Sequence, residues 1–197
     1  MDAVRVITGT ALPLRRSDVD TDQIIPAEWL KRVERTGFGE GLFAAWRKEP
    51  DFSINRPEYR DAQILVAGPN FGTGSSREHA VWALQDYGFR AVISPRFADI
   101  FRNNCTKVGL VPVQVDAAVA EALMAAVEAD ASLEITVDVE TRKVWAAAAG
   151  IEGDFALDDF TQMRLLEGLD DIGLTLRHAD AITTYEQTRP EWLPTTA

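Results

Sequence analysis

The stretch that most limits how this chain folds runs from Ala62 to Gly88. Ala62-Gln-Ile-Leu-Val-Ala67 is a short apolar run, rich in β-branched residues and of the length a buried strand needs. Asn70-Phe-Gly-Thr-Gly-Ser-Ser-Arg-Glu-His79 interrupts it with two glycines and two serines. Ala80, Ala83, Leu84 and Tyr87 then recur at helical spacing, and Gly88 stands where a C-terminal cap belongs. The pattern reads as strand, glycine turn, helix. Gly72 and Gly74 let the backbone take positive φ and approach a ligand closely, and Ser75 or Ser76 can cap the helix. Arg77 falls in the expected first turn, facing the positive end of the helix dipole at a cost of up to about 1 kcal/mol, which Glu78 partly offsets. An anionic ligand reverses that sign, because free N–H groups, two hydroxyls and a guanidinium then converge on one negative charge. The plainer reading of the same residues is a capped helix with a solvated arginine.

Generic motifs do not account for this turn. A phosphate-binding P-loop needs Gly-Lys-Ser/Thr, and Gly74 is followed by Ser75. The dinucleotide fingerprint needs a third glycine where Arg77 stands. The hydrolase elbow Gly-x-Ser-x-Gly is absent, since Arg77 and Glu78 follow Ser76.

Along the rest of the chain, Val4-Arg-Val-Ile7 alternates weakly as a strand. Asp18-Val-Asp-Thr-Asp-Gln-Ile-Ile-Pro26 is a carboxylate-rich turn that ends at a proline unable to continue a central strand. Its alternate aspartates match the opening of a calcium loop, but glycine is missing at the sixth position, and an Asx-turn network around Asp18 and Asp20 is the alternative. Ala27 to Val33 is a short helical or turn segment. Glu34-Arg-Thr-Gly-Phe-Gly39 reads as a mobile loop, and Gly41 to Arg47 as a helix with Phe43 and Trp46 in the core. Residues 49–60 read as a loop. Arg90 to Ser94 and Leu110 to Val115 are further strands, Pro112 placing the second at an edge or a strand end. Arg96 to Lys107 and Asp116 to Ala129 are helices. The centre is therefore β-α-β-α-β-α, a parallel-sheet pattern whose ligand crevice lies at the carboxyl ends of the strands. Leu133–Val139 and Lys143–Ala146 form a hairpin. Helices at Asp158–Leu169 and Thr175–Gln187 finish the chain, and residues 188–197 are a loose tail.

With 197 residues, one domain is expected across 1–197. A net charge of −11 argues against nucleic acid as a partner. No apolar run is long enough for a membrane span or a signal peptide, and a cytoplasmic location is expected. The single cysteine, Cys105, precludes an internal disulfide and cannot by itself hold an iron–sulfur cluster; packing is its simplest role.

Asn70 to Ala80 resembles the signature of the swivelling domain of the aconitase superfamily, above all the free-standing small subunits of 3-isopropylmalate dehydratase. Asp18–Pro26, Arg96-Phe-Ala-Asp-Ile-Phe101 and Leu166-Glu-Gly-Leu-Asp-Asp-Ile-Gly-Leu-Thr-Leu176 agree with that family in the same order, and the likeness covers residues 10–187. The resemblance implies a β/β/α swivelling domain of the aconitase C-terminal type, an α/β fold with a central, largely parallel sheet flanked by helices. It implies a hydro-lyase of leucine biosynthesis, active only as a heterodimer with a large subunit that carries a [4Fe–4S] cluster, and a small dicarboxylate substrate. No cofactor or metal is expected on this chain. By the same resemblance Ser75 is the catalytic base, and Ser76 and Arg77 bind substrate. Arg35 or Arg32 contacts a carboxylate, Leu30 touches an isopropyl group, and Asp22 pairs with charged groups at the site. Gly72, Thr73, Gly74, Glu78 and His79 support it, and His178 is a surface helix residue. Three other functions stay open at this point: a related hydro-lyase acting on citramalate or homoaconitate, a self-sufficient serine hydrolase using Ser75 and His79, and an anion-binding module without chemistry.

Overall fold

The computed structural model describes residues 1–31, 36–190 and 192. Its architecture turns on β1 (Val6–Leu14), nine residues long, which has different partners along its two halves. Val6–Thr10 pairs antiparallel with β5 (Glu134–Asp138), while Ala11–Leu14 pairs parallel with β2 (Ile64–Ala67). On the β2 side follow β3 (Ala91–Ser94) and β4 (Val111–Gln114), both parallel. On the β5 side follow β6 (Lys143–Ala146) and β7 (Ile151–Asp154), both antiparallel. The result is one seven-stranded sheet in the order β4-β3-β2-β1-β5-β6-β7.

The two halves differ in burial as parallel and antiparallel sheets should. Every residue of β2 and β3 is buried, because helices cover both faces, whereas β5 alternates buried and half-exposed positions. Pro112 lies in edge strand β4, where a missing N–H breaks no ladder. The expected parallel centre with its connecting helices is present: α2 (Glu78–Tyr87), α3 (Asp99–Val108) and α4 (Ala117–Ala129). A single hydrophobic cluster runs from Val4 to Leu165 and takes in both halves of the sheet.

Several boundaries differ from expectation, each for a local reason. Asp18–Pro26 is not only a turn: it contains a one-turn helix, α1 (Thr21–Ile24), started by a capping box in which Asp20 accepts from the Gln23 N–H and Gln23 accepts from the Asp20 N–H. The helix expected over Gly41–Arg47 does not form. Short 3₁₀ turns at Phe38–Gly41 and Trp46–Lys48 replace it, because the Phe43 N–H bonds to the Ile24 carbonyl at 2.7 Å and Phe43 adopts φ +51°. Phe43 is nevertheless fully buried and stacks on Trp46.

The C-terminal part holds three helices rather than two: α5 (Asp159–Glu167), α6 (Asp171–Leu176) and α7 (Ala179–Thr188). Gly168 stops α5 in the left-handed region, and the Asp170 carboxylate caps α6 by accepting from the Gly173 N–H. Of the tail expected over 188–197, Thr188 is the last residue of α7, and residues 191 and 193–197 lie outside the described residues.

Gly72 shows how tightly the centre is built. Its φ is +80°, and a Cβ there would lie 2.2 Å from Phe101 Cγ. Gly72→Ala is therefore expected to lower unfolding free energy by at least about 2 kcal/mol, from strain plus a clash that buried Phe101 cannot easily yield to. Gly150→Ala, at φ +64° with open space around it, should cost less. Urea titrations of the two variants check the difference.

Candidate active site

Where β2 ends at Ala67, the chain crosses the carboxyl ends of β1 and β3 as residues 68–77. Two isolated parallel bridges, Asp20 with Thr73 and Phe71 with Phe97, extend the sheet order into these loops. The Val19 carbonyl accepts from both the Gly72 and Thr73 N–H groups, at 2.8 and 3.1 Å, and the Thr21 N–H donates to the Thr73 carbonyl at 2.9 Å. On the other side the buried Phe71 ring meets Phe97 and Phe101 edge-on. This explains why the Arg96–Phe101 stretch belongs to the same pattern as the glycine turn. Asp18 and Asn70, both at left-handed φ, join through Asn70 Nδ2 donating to Asp18 Oδ1 at 2.7 Å, so Asp18 and Asp20 serve the turn network rather than a cation.

That frame brings α1 against the head of α2. Arg77 is not in the first helical turn; it is the N-cap residue of α2, with extended backbone. No side chain caps α2, so the expected Ser75 or Ser76 cap does not form. Instead the Ser75 carbonyl accepts from the Arg77 N–H at 2.8 Å, and its hydroxyl turns to Thr21, with Oγ and Oγ1 3.1 Å apart. Arg77 Nη1 donates to Asp22 Oδ1, an ion pair with the guanidinium one-quarter exposed and the carboxylate more than half exposed. Ser75, Ser76 and Glu78 are exposed, and Ser76 and Glu78 have no side-chain partner among the described residues. The arrangement is an open face carrying two hydroxyls, a cation and an uncapped helix N-terminus, the chemistry of a carboxylate site.

His79 lies one step further along α2. Its ring packs between Phe38 and Trp82, at centroid distances of 5.3 and 4.6 Å. The last two residues of the expected mobile loop, Phe38 and Gly39, instead lie buried in the 3₁₀ turn Phe38–Gly41, where the Gly39 N–H donates to Asp86 Oδ2 at 2.9 Å. His79 thus anchors one end of that loop to α2 and is not hydrogen-bonded to Ser75, which leaves a Ser–His nucleophile pair without its geometry. Leu30 is half-buried in the 3₁₀ segment Ala27–Lys31. Arg32 and Arg35 lie outside the described residues. His178 is exposed at the head of α7. Sequence reading missed Thr21; its position between Asp20 and Asp22 in the matching Asp-Thr-Asp was the available signal.

Comparisons with known proteins identify the family and the type of fold. The aconitase C-terminal domain model matches residues 1–118, and the model for the C-terminal domain of the 3-isopropylmalate dehydratase small subunit matches 171–197. Proteins named 3-isopropylmalate dehydratase small subunit from Frankia casuarinae and Thermobifida fusca are 66% and 63% identical, with all of this chain and all of each relative covered. The chain belongs to the 3-isopropylmalate dehydratase small-subunit family. A crystal structure of 3-isopropylmalate dehydratase from Methanocaldococcus jannaschii superimposes with a TM-score of 0.68 at 25% identity, covering 92% of this chain and 99% of that one. Across that structural likeness, the curled mixed sheet with its flanking helices is the aconitase C-terminal type of fold.

A [4Fe–4S] cluster, which the superfamily implies, does not fit the donors on this small-subunit chain. Its one cysteine, Cys105, is fully buried on α3, and burial pushes its thiol well above the usual range. Among the described residues no three His, Cys, Asp or Glu side chains converge as a metal set. Among the same residues no helix is long and apolar enough to cross a membrane. Cys105 should resist alkylation by iodoacetamide at pH 8 in the native protein and react at once in guanidinium, with mass spectrometry as the readout.

Proposed function

We propose that this chain is the small subunit of a 3-isopropylmalate dehydratase. It works with a large subunit to convert 2-isopropylmalate to 3-isopropylmalate by removing water and adding it back with opposite regiochemistry. The observation that carries this reading is the turn 70–77. It presents two serines and an arginine at an uncapped helix head on an open face, in a chain 66% identical to a relative of that name.

The proton to be removed sits on a carbon beside a carboxylate and is weakly acidic, so the base must be strong. An ionised Ser75 is such a base, and it forms only where donors face its oxygen. On this reading the Ser75 alkoxide takes the proton from the methylene carbon as the hydroxyl leaves the neighbouring carbon, and the double bond forms between them. Ser75 is then a neutral hydroxyl, and in the return half the released hydroxide, or one exchanged for it from water, adds to the former methylene carbon while Ser75 gives its proton to the neighbouring carbon and becomes the alkoxide again. Ser76 donates to substrate, and Arg77 holds one carboxylate. Asp22 keeps the guanidinium aimed, taking one of its five N–H groups and leaving the rest for substrate. Arg35 or Arg32 holds the second carboxylate, and Leu30 meets the isopropyl group. Gly72, Thr73, Gly74 and His79 maintain the shape of the turn and its neighbouring loop, and Glu78 sets a negative charge in the first turn of α2 beside Arg77.

The Lewis acidity that helps a hydroxyl depart belongs, by family resemblance, to a cluster on the large partner. A second chain is supported by two features. The serine face is open rather than enclosed, and Ile172, Leu176 and Tyr185 on α6 and α7 are each more than 60% exposed within the stretch 171–197 that matches the family's C-terminal domain. The lone free cysteine supports a location in the cytoplasm.

Ser75→Ala in the assembled enzyme should lower turnover by at least about 10²-fold, the scale of losing one group that acts only in the transition state, with folding and co-purification unchanged. Ultraviolet absorbance of the unsaturated intermediate reads the rate. Near-normal turnover of that variant removes Ser75 from the reaction. Activity of this chain without its large partner defeats the shared site.

A further inference from the structure

We infer that Thr21 is the positioning residue that makes Ser75 ionisable: its hydroxyl is the hydrogen-bond donor that stabilises the Ser75 alkoxide. The inference rests on the reading of Ser75 as the base and adds the group that sustains it.

Thr21 is 2% exposed, and its Oγ1 lies 3.1 Å from Ser75 Oγ. Two hydroxyls in contact leave open which one donates, but the surroundings decide. Threonine in a helix ordinarily turns its proton back to the carbonyl three or four residues earlier. Thr21 is the first residue of α1, so no helical carbonyl stands behind it. The Val19 carbonyl already accepts two N–H groups, from Gly72 and Thr73. Ser75 Oγ is the acceptor that remains, and Thr21 has no other side-chain partner among the described residues. Ser75, by contrast, is exposed and can direct its own proton outward. When that proton leaves, the Thr21 O–H already points at the charged oxygen and nothing has to rotate. A hydrogen bond to an ionised acceptor is about twice as strong as one between neutral groups, so the contact favours the alkoxide over the alcohol.

The position of Thr21 is over-determined, as such a role requires. Its N–H is tied to the Thr73 carbonyl, its neighbour Asp20 bridges to Thr73 and caps α1, and a Cβ on Gly74 would sit 3.5 Å from Thr21 Oγ1. The charged and titratable groups around Ser75 are Asp20 and Asp22 on the α1 side and Arg77, Glu78 and His79 at the head of α2. Asp20 is spent on the cap and Asp22 on Arg77, and His79 is packed against aromatic rings. All five are present alike in the wild type and in each Thr21 variant.

The test uses the assembled two-subunit enzyme with Thr21→Val, Thr21→Ser and Ser75→Ala, following kcat and KM across pH. Thr21→Val keeps shape and removes the donor. It should lower kcat by about 10²-fold with KM little changed, and move the acid limb of the kcat profile up by about one to two pH units. Thr21→Ser keeps the donor and should restore the wild-type profile while losing only a methyl contact. Thermal unfolding confirms that each variant is folded. An unshifted limb in Thr21→Val, or a Thr21→Ser variant as impaired as Thr21→Val, assigns Thr21 to packing and overturns the inference while Ser75→Ala remains inactive. An active Ser75→Ala variant overturns the reading of Ser75 itself.

Discussion

The Val19 carbonyl, shared between the Gly72 and Thr73 amides, is the contact on which the site depends. It joins the segment leaving β1 to the segment leaving β2 beyond the point where the strands themselves have ended. Neither segment is regular, so no ladder would otherwise hold them in register. Sharing one acceptor between successive amides demands a sharp turn, and Gly72 supplies it at a φ that other residues rarely adopt. The aromatic group Phe71, Phe97 and Phe101 then closes the turn from the β3 side. Three strand ends are thereby fixed against one another, and Thr21, Asp22, Ser75 and Arg77 inherit their positions from that frame.

Much of this was legible because the residues involved do one job each. The parallel strands are continuous apolar runs, as burial on both faces requires, and Pro112 marked its strand for the edge. Strand β7 was not legible. Ile151-Glu-Gly-Asp154 has one apolar side chain, and it exists because the hairpin edge offers hydrogen-bond partners and because Gly153 lets Val119 of α4 approach. The expected helix at 41–47 failed for a reason invisible in a local window: the Phe43 amide is taken by Ile24, from a different part of the chain. At the site, residue identities were readable and orientations were not. Nothing in Gly-Ser-Ser-Arg says that the first hydroxyl turns away from the helix it was expected to cap.

That missing cap is informative in its own right. Helix heads in most proteins satisfy their first amides with a serine, threonine or aspartate. α2 has two serines within reach and uses neither, while α1, only one turn long, is capped by a full box. Stability alone gives no reason for this distribution, since the first amides of either helix gain alike from a cap. The arrangement instead rigidifies the short element that carries Thr21 and Asp22 and leaves the longer helix open toward whatever anion arrives.

The Arg77–Asp22 pair fits the same logic. With the carboxylate more than half exposed, the pair contributes little to folding, of order 0–1 kcal/mol. Its value is directional. An unpartnered arginine at a helix head is repelled by the dipole and would swing into solvent; Asp22 holds it at the turn at small cost. A substrate carboxylate offers a second, bidentate acceptor without requiring Asp22 to leave, because the guanidinium has donors to spare. A stronger, buried pair would compete with substrate, and no pair at all would leave Arg77 unordered. A weak exposed contact between two elements already locked together by Val19 orders the cation before binding and does not oppose the binding that follows.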